Sequence, residues 1–231
     1  AGDVDPRGMT GSWAGAMGHT QFIPTSYLAH AVDFTGDGKR DIWGESPADA
    51  LASTANYLAE AGWVKGQPWG LEVLLPEGFD YTLAGERITR DGAAWNALGV
   101  RDVTGKKVPD HGPASIRLPA GSQGAAFMTF GNFRVLERYN SADAYVIGVG
   151  HLADLIAGGP RIQSGWPRGD RALTRAEREE LQARLTQAGF STEGVDGRIG
   201  PNTLAAVRAF QKHIGVVPDG YASLHILKKL R

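Results

Sequence analysis

The sequence predicts an α+β fold in two parts: a mainly helical domain with a small β-rich insertion, followed by a small three-helix bundle. Three observations carry this. Segments with apolar residues at helical spacing flank the first part and fill the last sixty or so residues. Short β-like runs punctuated by Gly and Pro lie between the flanking helices. A Gly- and Pro-dense stretch, residues 158–170, interrupts all periodicity and reads as a linker. The predicted organisation is a first domain over residues 1–157, a linker over 158–170 and a second domain over 171–231.

Taken in order, Pro24 marks a turn or helix start directly after Phe22 and Ile23. Ser46-Pro47-Ala48-Asp49 opens a helix in which Leu51, Ala55, Leu58 and Gly62 follow helical spacing. β-like runs follow at 71–75, 115–118, 125–130 and 133–136. Ser141 opens a helix expected to bury Tyr145, Val149, Leu152 and Ile156. Beyond the linker, Thr174-Arg175-Ala176-Glu177 is a capping box ahead of Leu181, Leu185 and Ala188, and Gly189 ends that helix. Pro201, suited to a first helical turn, starts a second helix with the stripe Leu204, Val207, Phe210 and Ile214. Ser223 caps a third carrying Leu224, Leu227 and Leu230.

Composition excludes several classes. Hydrophobic residues make up 42% and charged residues 21%, with a formal net charge of -1, so a disordered chain and a polycationic nucleic-acid binder are disfavoured. With no Cys there is no disulfide, thiolate nucleophile or Cys-ligated metal. The longest apolar stretch, Tyr145 to Ala157, is broken by His151 and Asp154 and falls short of the roughly 20 residues a membrane span needs, so no transmembrane segment is expected. The chain starts at Ala1 with neither an initiator Met nor an apolar leader, and so reads as the inside of a longer protein whose targeting segment has been removed. The six His show no paired ligand spacing, and Ser12 lacks a Gly-x-Ser-x-Gly context, which argues against zinc and against a serine triad.

Gly11-Ser12-Trp13-Ala14-Gly15-Ala16-Met17-Gly18-His19-Thr20-Gln21-Phe22-Ile23-Pro24 is the most informative stretch. Small residues packed around Met17 and Gln21 let backbone and ligand approach closely, and the Gln21 amide offers donor and acceptor at once, which suits a sugar. A Gly-rich loop around a buried Gln is the alternative.

The stretch resembles the Gly-Ala-Met-Gly-x-x-Gln-Phe-x-Pro-x-Ser-Tyr signature of the membrane-bound lytic transglycosylase B family. Ala52-Ser53-Thr54-Ala55-Asn56-Tyr57 is similar to that family's Asn-Tyr helix, and Arg138-Tyr139-Asn140-Ser141 to its Tyr-Asn motif. The resemblance implies a lysozyme-like catalytic domain with a groove for alternating N-acetylglucosamine and N-acetylmuramic acid. It also implies cleavage of the β-1,4 bond without water: one Glu protonates the leaving oxygen, then removes the proton of the sugar's 6-hydroxyl to close a 1,6-anhydro ring. Such a Glu needs an apolar pocket that raises its pKa. The family's Glu lies in a motif several tens of residues ahead of Gly-Ala-Met-Gly. Only Asp3 and Asp5 precede that stretch here, so no residue of the chain inherits the role and an N-terminal fragment is expected to hold it, cleaved or as a separate chain. Substrate contacts are expected from Ser12, Met17, Gln21, Phe22, Asn56, Tyr57, Tyr139 and Asn140, and the location from periplasm or outer membrane.

Asp33, Thr35, Asp37, Lys39 and Asp41 occupy positions 1, 3, 5, 7 and 9 of an EF-hand-like calcium loop, with Gly38 at the sixth. Gly44 stands at position 12, so closure by Glu45 or Asp49 needs a longer loop; family members carry such a loop. Structural calcium is the expected cofactor and none is expected for catalysis; a plain Asp/Gly turn with Asp49 in the following helix is the alternative. The segment Leu181 to Gly220, with Asp196-Gly197, Phe210-Gln211 and Asp219-Gly220, resembles the three-helix peptidoglycan-binding domain, expected to tether the chain flexibly to its polymer. The function this implies is a lytic murein transglycosylase acting on peptidoglycan glycan strands. The rivals are a non-catalytic peptidoglycan-binding or scaffolding protein and a two-carboxylate muramidase.

Overall fold

The computed structural model describes residues 2–231, so Ala1, the first residue of the predicted first domain, lies outside the described residues. The chain forms two compact units. One comprises residues 1–66 and 134–140, the other 67–133 and 141–231.

The first unit holds α1 (Pro24–His30), α2 (Ala48–Glu60) and the last residues of α4 (Gly131–Tyr139). Pro24 sits at the start of α1, as its missing N–H allows. Met17, Phe22, Tyr27, Ala31, Ile42 and Ala50 form the core, with Trp43, Tyr57 and Tyr139 packed on it. Helix α2 buries Asp49, Ala50 and Ser53, whereas Leu51 is exposed; the face turned inward is thus not the Leu51–Ala55–Leu58 stripe of the sequence pattern. The reason is polar: Asp49 and Ser53 serve the backbone of the preceding loop, where Ser53 Oγ accepts from Val32 N–H at 3.0 Å.

The second unit is built on a four-stranded antiparallel sheet in the order β2 (Arg101–Asp102), β1 (Gly70–Leu74), β4 (Ala126–Thr129), β3 (Ser115–Arg117). Leu71 and Ile116 both pair with Met128, and Val73 with Ala126. These residues line one face and pack with Trp95 of α3 (Gly92–Ala97), Val100, Val108 and Phe130. The other face carries Phe127, against which Trp69 packs at 6.0 Å between ring centroids. Residues 133–136, expected as strand, lie inside α4: Asn132, Phe133, Val135 and Leu136 are buried at helical, not alternating, spacing.

Helix α5 (Asp143–Ile156) corrects a second expectation. It buries Val146, Ile147 and Gly150, while Tyr145, Val149, Leu152 and Ile156 are exposed. Gly150 sets this rotation, because a Cβ there would come 2.6 Å from the Trp69 ring, so the helix seats its glycine on the indole.

α6 (Arg175–Gln187), α7 (Pro201–His213) and α8 (Leu224–Leu230) surround Leu181, Leu185, Val207, Phe210 and Leu227. The Thr174–Glu177 capping box is formed, and Ser223 caps α8. Two buried glutamines fix the Asp-Gly turns: Gln182 accepts from Gly197 N–H at 2.8 Å and Gln211 from Gly220 N–H at 2.8 Å. The bundle lies against the insertion. Ser122 donates from both N–H and Oγ to Asp219, and Arg208 Nη2 donates to the Tyr81 carbonyl at 3.0 Å. The stretch expected as a flexible tether is held as well, since Gln163 and Ser164 N–H donate to the Glu72 carboxylate at 2.8 and 2.7 Å. Among the described residues no helix is long and apolar enough to cross a membrane.

Candidate functional site

All eight substrate-contact residues proposed from sequence fall in the first unit. Residues 11–22 form three short bridged segments: Gly11 pairs with Met17, and Met17 with Phe22. Gly18 allows the middle turn. Its φ is 58°, and a Cβ there would lie 2.3 Å from the Ile42 carbonyl oxygen. His19 completes the fastening through N–H to Ile42 O at 2.8 Å and Nε2 to Gly44 O at 2.8 Å.

Gln21 is exposed at the end of this turn with φ 52°, one of two non-glycine residues with positive φ among those described. Its Nε2 donates to Gly18 O at 2.8 Å, and its amide oxygen has no hydrogen-bond partner among the described residues. A left-handed glutamine costs about 1 kcal/mol or more, and such strain persists where surroundings or function hold it.

Behind Gln21 three distant motifs meet. Phe22, only 3% exposed, has the Tyr57 and Tyr139 rings each 5.8 Å away, and those two rings meet edge to face at 5.0 Å. Tyr139 Oη donates to the Thr20 carbonyl, next to Gln21, and Tyr57 Oη donates to the Arg138 carbonyl at 2.8 Å. Met17 and Phe22 are therefore core residues supporting this surface from inside. Ser12 is exposed, and its Oγ accepts from Ala16 N–H at 3.2 Å. Asn140 is exposed just after α4.

Asn56 faces elsewhere: its Nδ2 donates to His30 O at 3.1 Å and to Glu60 Oε1 at 3.2 Å. Two acceptors at one end fix the amide orientation. His30, whose Nδ1 is 2.7 Å from Glu60 Oε2, also stacks edge-on to Tyr57 at 4.7 Å. Sequence reasoning missed His30 and Glu60; they stand thirty positions apart, and nothing in the sequence signals that they meet.

The loop after α1 brings together Asp33, Asp37 and Asp49, one carboxylate oxygen of each lying within 4.8 Å of the others. Asp33 accepts from Gly36 and Gly38 N–H, at 2.7 and 2.8 Å. Asp49, 3% exposed, accepts from Phe34, Thr35 and Asp41 N–H at 3.0 to 3.1 Å. Burial pushes its pKa up, but these backbone donors outweigh burial and the group lies below the usual carboxylate value. Asp41 is not one of the three; its Oδ1 accepts from Trp43 and Gly44 N–H, each at 2.9 Å. Three close carboxylates with carbonyl and hydroxyl oxygens in the same loop are a donor set that fits calcium.

Residues 1–154 match the model of the transglycosylase SLT domain. The chain belongs to that family. Residues 174–230 match the peptidoglycan binding domain. The chain is 36% identical over 160 residues to membrane-bound lytic murein transglycosylase B of Escherichia coli strain K12, covering 66% of this chain and 41% of that protein. The crystal structure of SltB3 from Pseudomonas aeruginosa, in complex with NAG-anhNAM-pentapeptide, superposes with TM-score 0.92 at 52% identity over the whole chain and 62% of SltB3. The Escherichia coli lytic transglycosylase Slt35 in complex with calcium matches at TM-score 0.53 and 31% identity, over 66% of this chain and 47% of Slt35. The fold is thus the lysozyme-like SLT fold with a helical binding domain after it, and the chain spans less than two thirds of the length of each of these relatives.

Proposed function

We propose that this chain is the glycan-holding part of a lytic murein transglycosylase, which cleaves the bond between N-acetylmuramic acid and N-acetylglucosamine with closure of a 1,6-anhydro ring. The observation that carries the reading is the knot in which Tyr139 Oη reaches the Thr20 carbonyl while the Tyr57, Phe22 and Tyr139 rings interlock, because it brings three separated motifs to the side of Gln21. In this reading Gln21 presents its amide oxygen to a sugar hydroxyl or acetamido N–H. Tyr57 and Tyr139 form the wall, and Ser12 and Asn140 lie at the edges. Met17 and Phe22 hold the surface from within, and Asn56 with Glu60 and His30 braces Tyr57. The acid that protonates the leaving oxygen belongs to none of these residues. The reading assigns it to the additional sequence that the relatives possess, whether on the same polypeptide or on a companion fragment.

Domain 171–231 is proposed as a peptidoglycan-binding module following a connector at 158–170, and the location as the periplasm or the outer membrane. Calcium is proposed as a structural ion held by Asp33, Asp37 and Asp49, with Thr35 and the Lys39 carbonyl contributing, and Asp41 shaping the loop. Bound there, the ion supplies charge neutralisation and no step of the reaction.

Product analysis tests the whole reading. The longest polypeptide expressed from the gene is incubated with purified sacculi and its products are weighed by mass spectrometry. Anhydro-muropeptides are expected. Reducing ends would instead mean hydrolysis, and sacculus binding without products would mean a scaffold.

A further inference from the structure

Trp13 is 101% exposed, and its ring has neither a hydrogen bond nor a ring contact among the described residues. The turn that carries it is not loose. Ser12 N–H donates to Ala16 O at 2.8 Å, Gly15 N–H to Ser12 O at 2.9 Å, and Ala16 N–H to Ser12 Oγ at 3.2 Å. Gly11, just before, bridges Met17, which bridges Phe22. A Cβ on Gly11 would lie 2.6 Å from Ala16 O, so the backbone there is closely fitted. The Trp13 turn and Gln21 are thus carried by the same three-segment bridge, with Gly11 on one side of Met17 and Phe22 on the other.

We infer that Trp13 is an aromatic platform for one sugar ring of the glycan strand, forming with Gln21 and the Tyr57–Tyr139 wall a binding surface longer than one residue of the polymer. The inference rests on the glycan-holding reading above. Its chemistry follows from the side chain. A large flat apolar face with a single N–H at its edge matches a pyranose ring, which has an apolar C–H face and a rim of hydroxyls. Holding the indole on a pre-ordered turn removes most of the entropy of arranging it on binding. Within the turn Trp13 is the single large side chain, beside Ser12, Ala14, Gly15 and Ala16.

The test uses this chain with all six tryptophans replaced by 5-fluorotryptophan, the Trp13 resonance being assigned from Trp13→Phe. Titration with a soluble NAG-NAM tetrasaccharide is expected to shift that resonance. Trp13→Ala is expected to weaken the binding about tenfold and Trp13→Tyr by no more than about threefold, with unchanged melting temperatures. A tetrasaccharide that binds while the Trp13 resonance stays still, with Trp13→Ala binding as tightly as the parent, overturns the inference and leaves the glycan-holding reading intact. A tetrasaccharide that binds nowhere overturns both. A resonance moved by phosphatidylglycerol vesicles and not by the sugar overturns it in favour of a membrane contact.

Discussion

Gln21 pays for a left-handed backbone while exposing its side chain, and this separates its contribution to stability from its contribution to function. Gln21→Gly is expected to hold or raise the melting temperature, because glycine adopts this conformation freely. The same substitution is expected to lower turnover clearly, measured in the longest expressed polypeptide; turnover equal to the parent would remove Gln21 from the site. The residue was legible in the sequence, because the small residues around it and the proline after Ile23 announce a close-packed turn. The direction of Asn56 was not. Its partner His30 is 26 residues away, and helical spacing reveals which residues share a face but not which carbonyl an amide finds. Trp13 was equally silent, since a tryptophan among glycines reads the same whether buried or bare.

At the scale of elements, α4 and α5 show how apolar pattern misleads. Phe133-Arg134-Val135-Leu136 has the β-branched and aromatic content of a strand, yet it is a helix whose buried residues recur every three or four positions. In α5 the larger apolar residues suggested the inner face, whereas the helix turns one of its two glycines, Gly150, onto Trp69. The starts of α6 and α8 were better predicted, because the Thr174 and Ser223 caps act over three or four residues and need no distant partner. By contrast, α2 and α5 have Pro47 and Ala142 at their N-caps, without the side-chain cap that Ser46 and Ser141 suggested. Tyr139, at the end of α4, ties that helix to the turn of Gln21. Tyr139→Phe keeps the ring and removes the hydroxyl, so a loss of about 1 kcal/mol is expected in denaturant unfolding. Activity retained in that variant would show that the phenol does no chemistry. The Asp33–Asp49 loop is testable in the same way. Calcium is expected to raise the midpoint of thermal unfolding relative to chelator, and Asp49→Asn to abolish the difference; identical scans of the parent with and without the ion would remove the site.

For the molecule as a whole, acid sensitivity follows from its carboxylates. The Arg40 guanidinium, beside Asp3 with its Nη2 at 3.0 Å, holds that carboxyl down at about 2. Asp49, Asp80 and Asp102 are lowered too, the last two chiefly by the hydroxyls of Thr82 and Thr104. A folded value below the unfolded one gives stability that is complete above the unfolded carboxylate range and fades as pH falls toward the folded value. The melting temperature is therefore expected to be level near neutrality and to drop between about pH 4 and pH 2. Asp3→Asn should shrink that drop while lowering stability at pH 7. The docking of the C-terminal bundle is open to a different measurement. Gly121 has φ 66°, and a Cβ there would sit 2.6 Å from Asp219 Oδ2 and 2.8 Å from Tyr221 Cβ. Gly121→Ala is expected to wedge the contact, splitting one calorimetric transition into two and speeding trypsin cleavage within 158–170. An unchanged single transition would show that the bundle's stability does not depend on the fit.

The Glu72 clasp on Gln163 and Ser164, together with the Ser122–Asp219 contact, also has a mechanical meaning. A module on a slack leash absorbs a tug by straightening the leash. Here Glu72 of β1 holds the stretch at Gln163 and Ser164, so a pull on the bundle is passed to the sheet through that carboxylate and to Ser122 through Asp219.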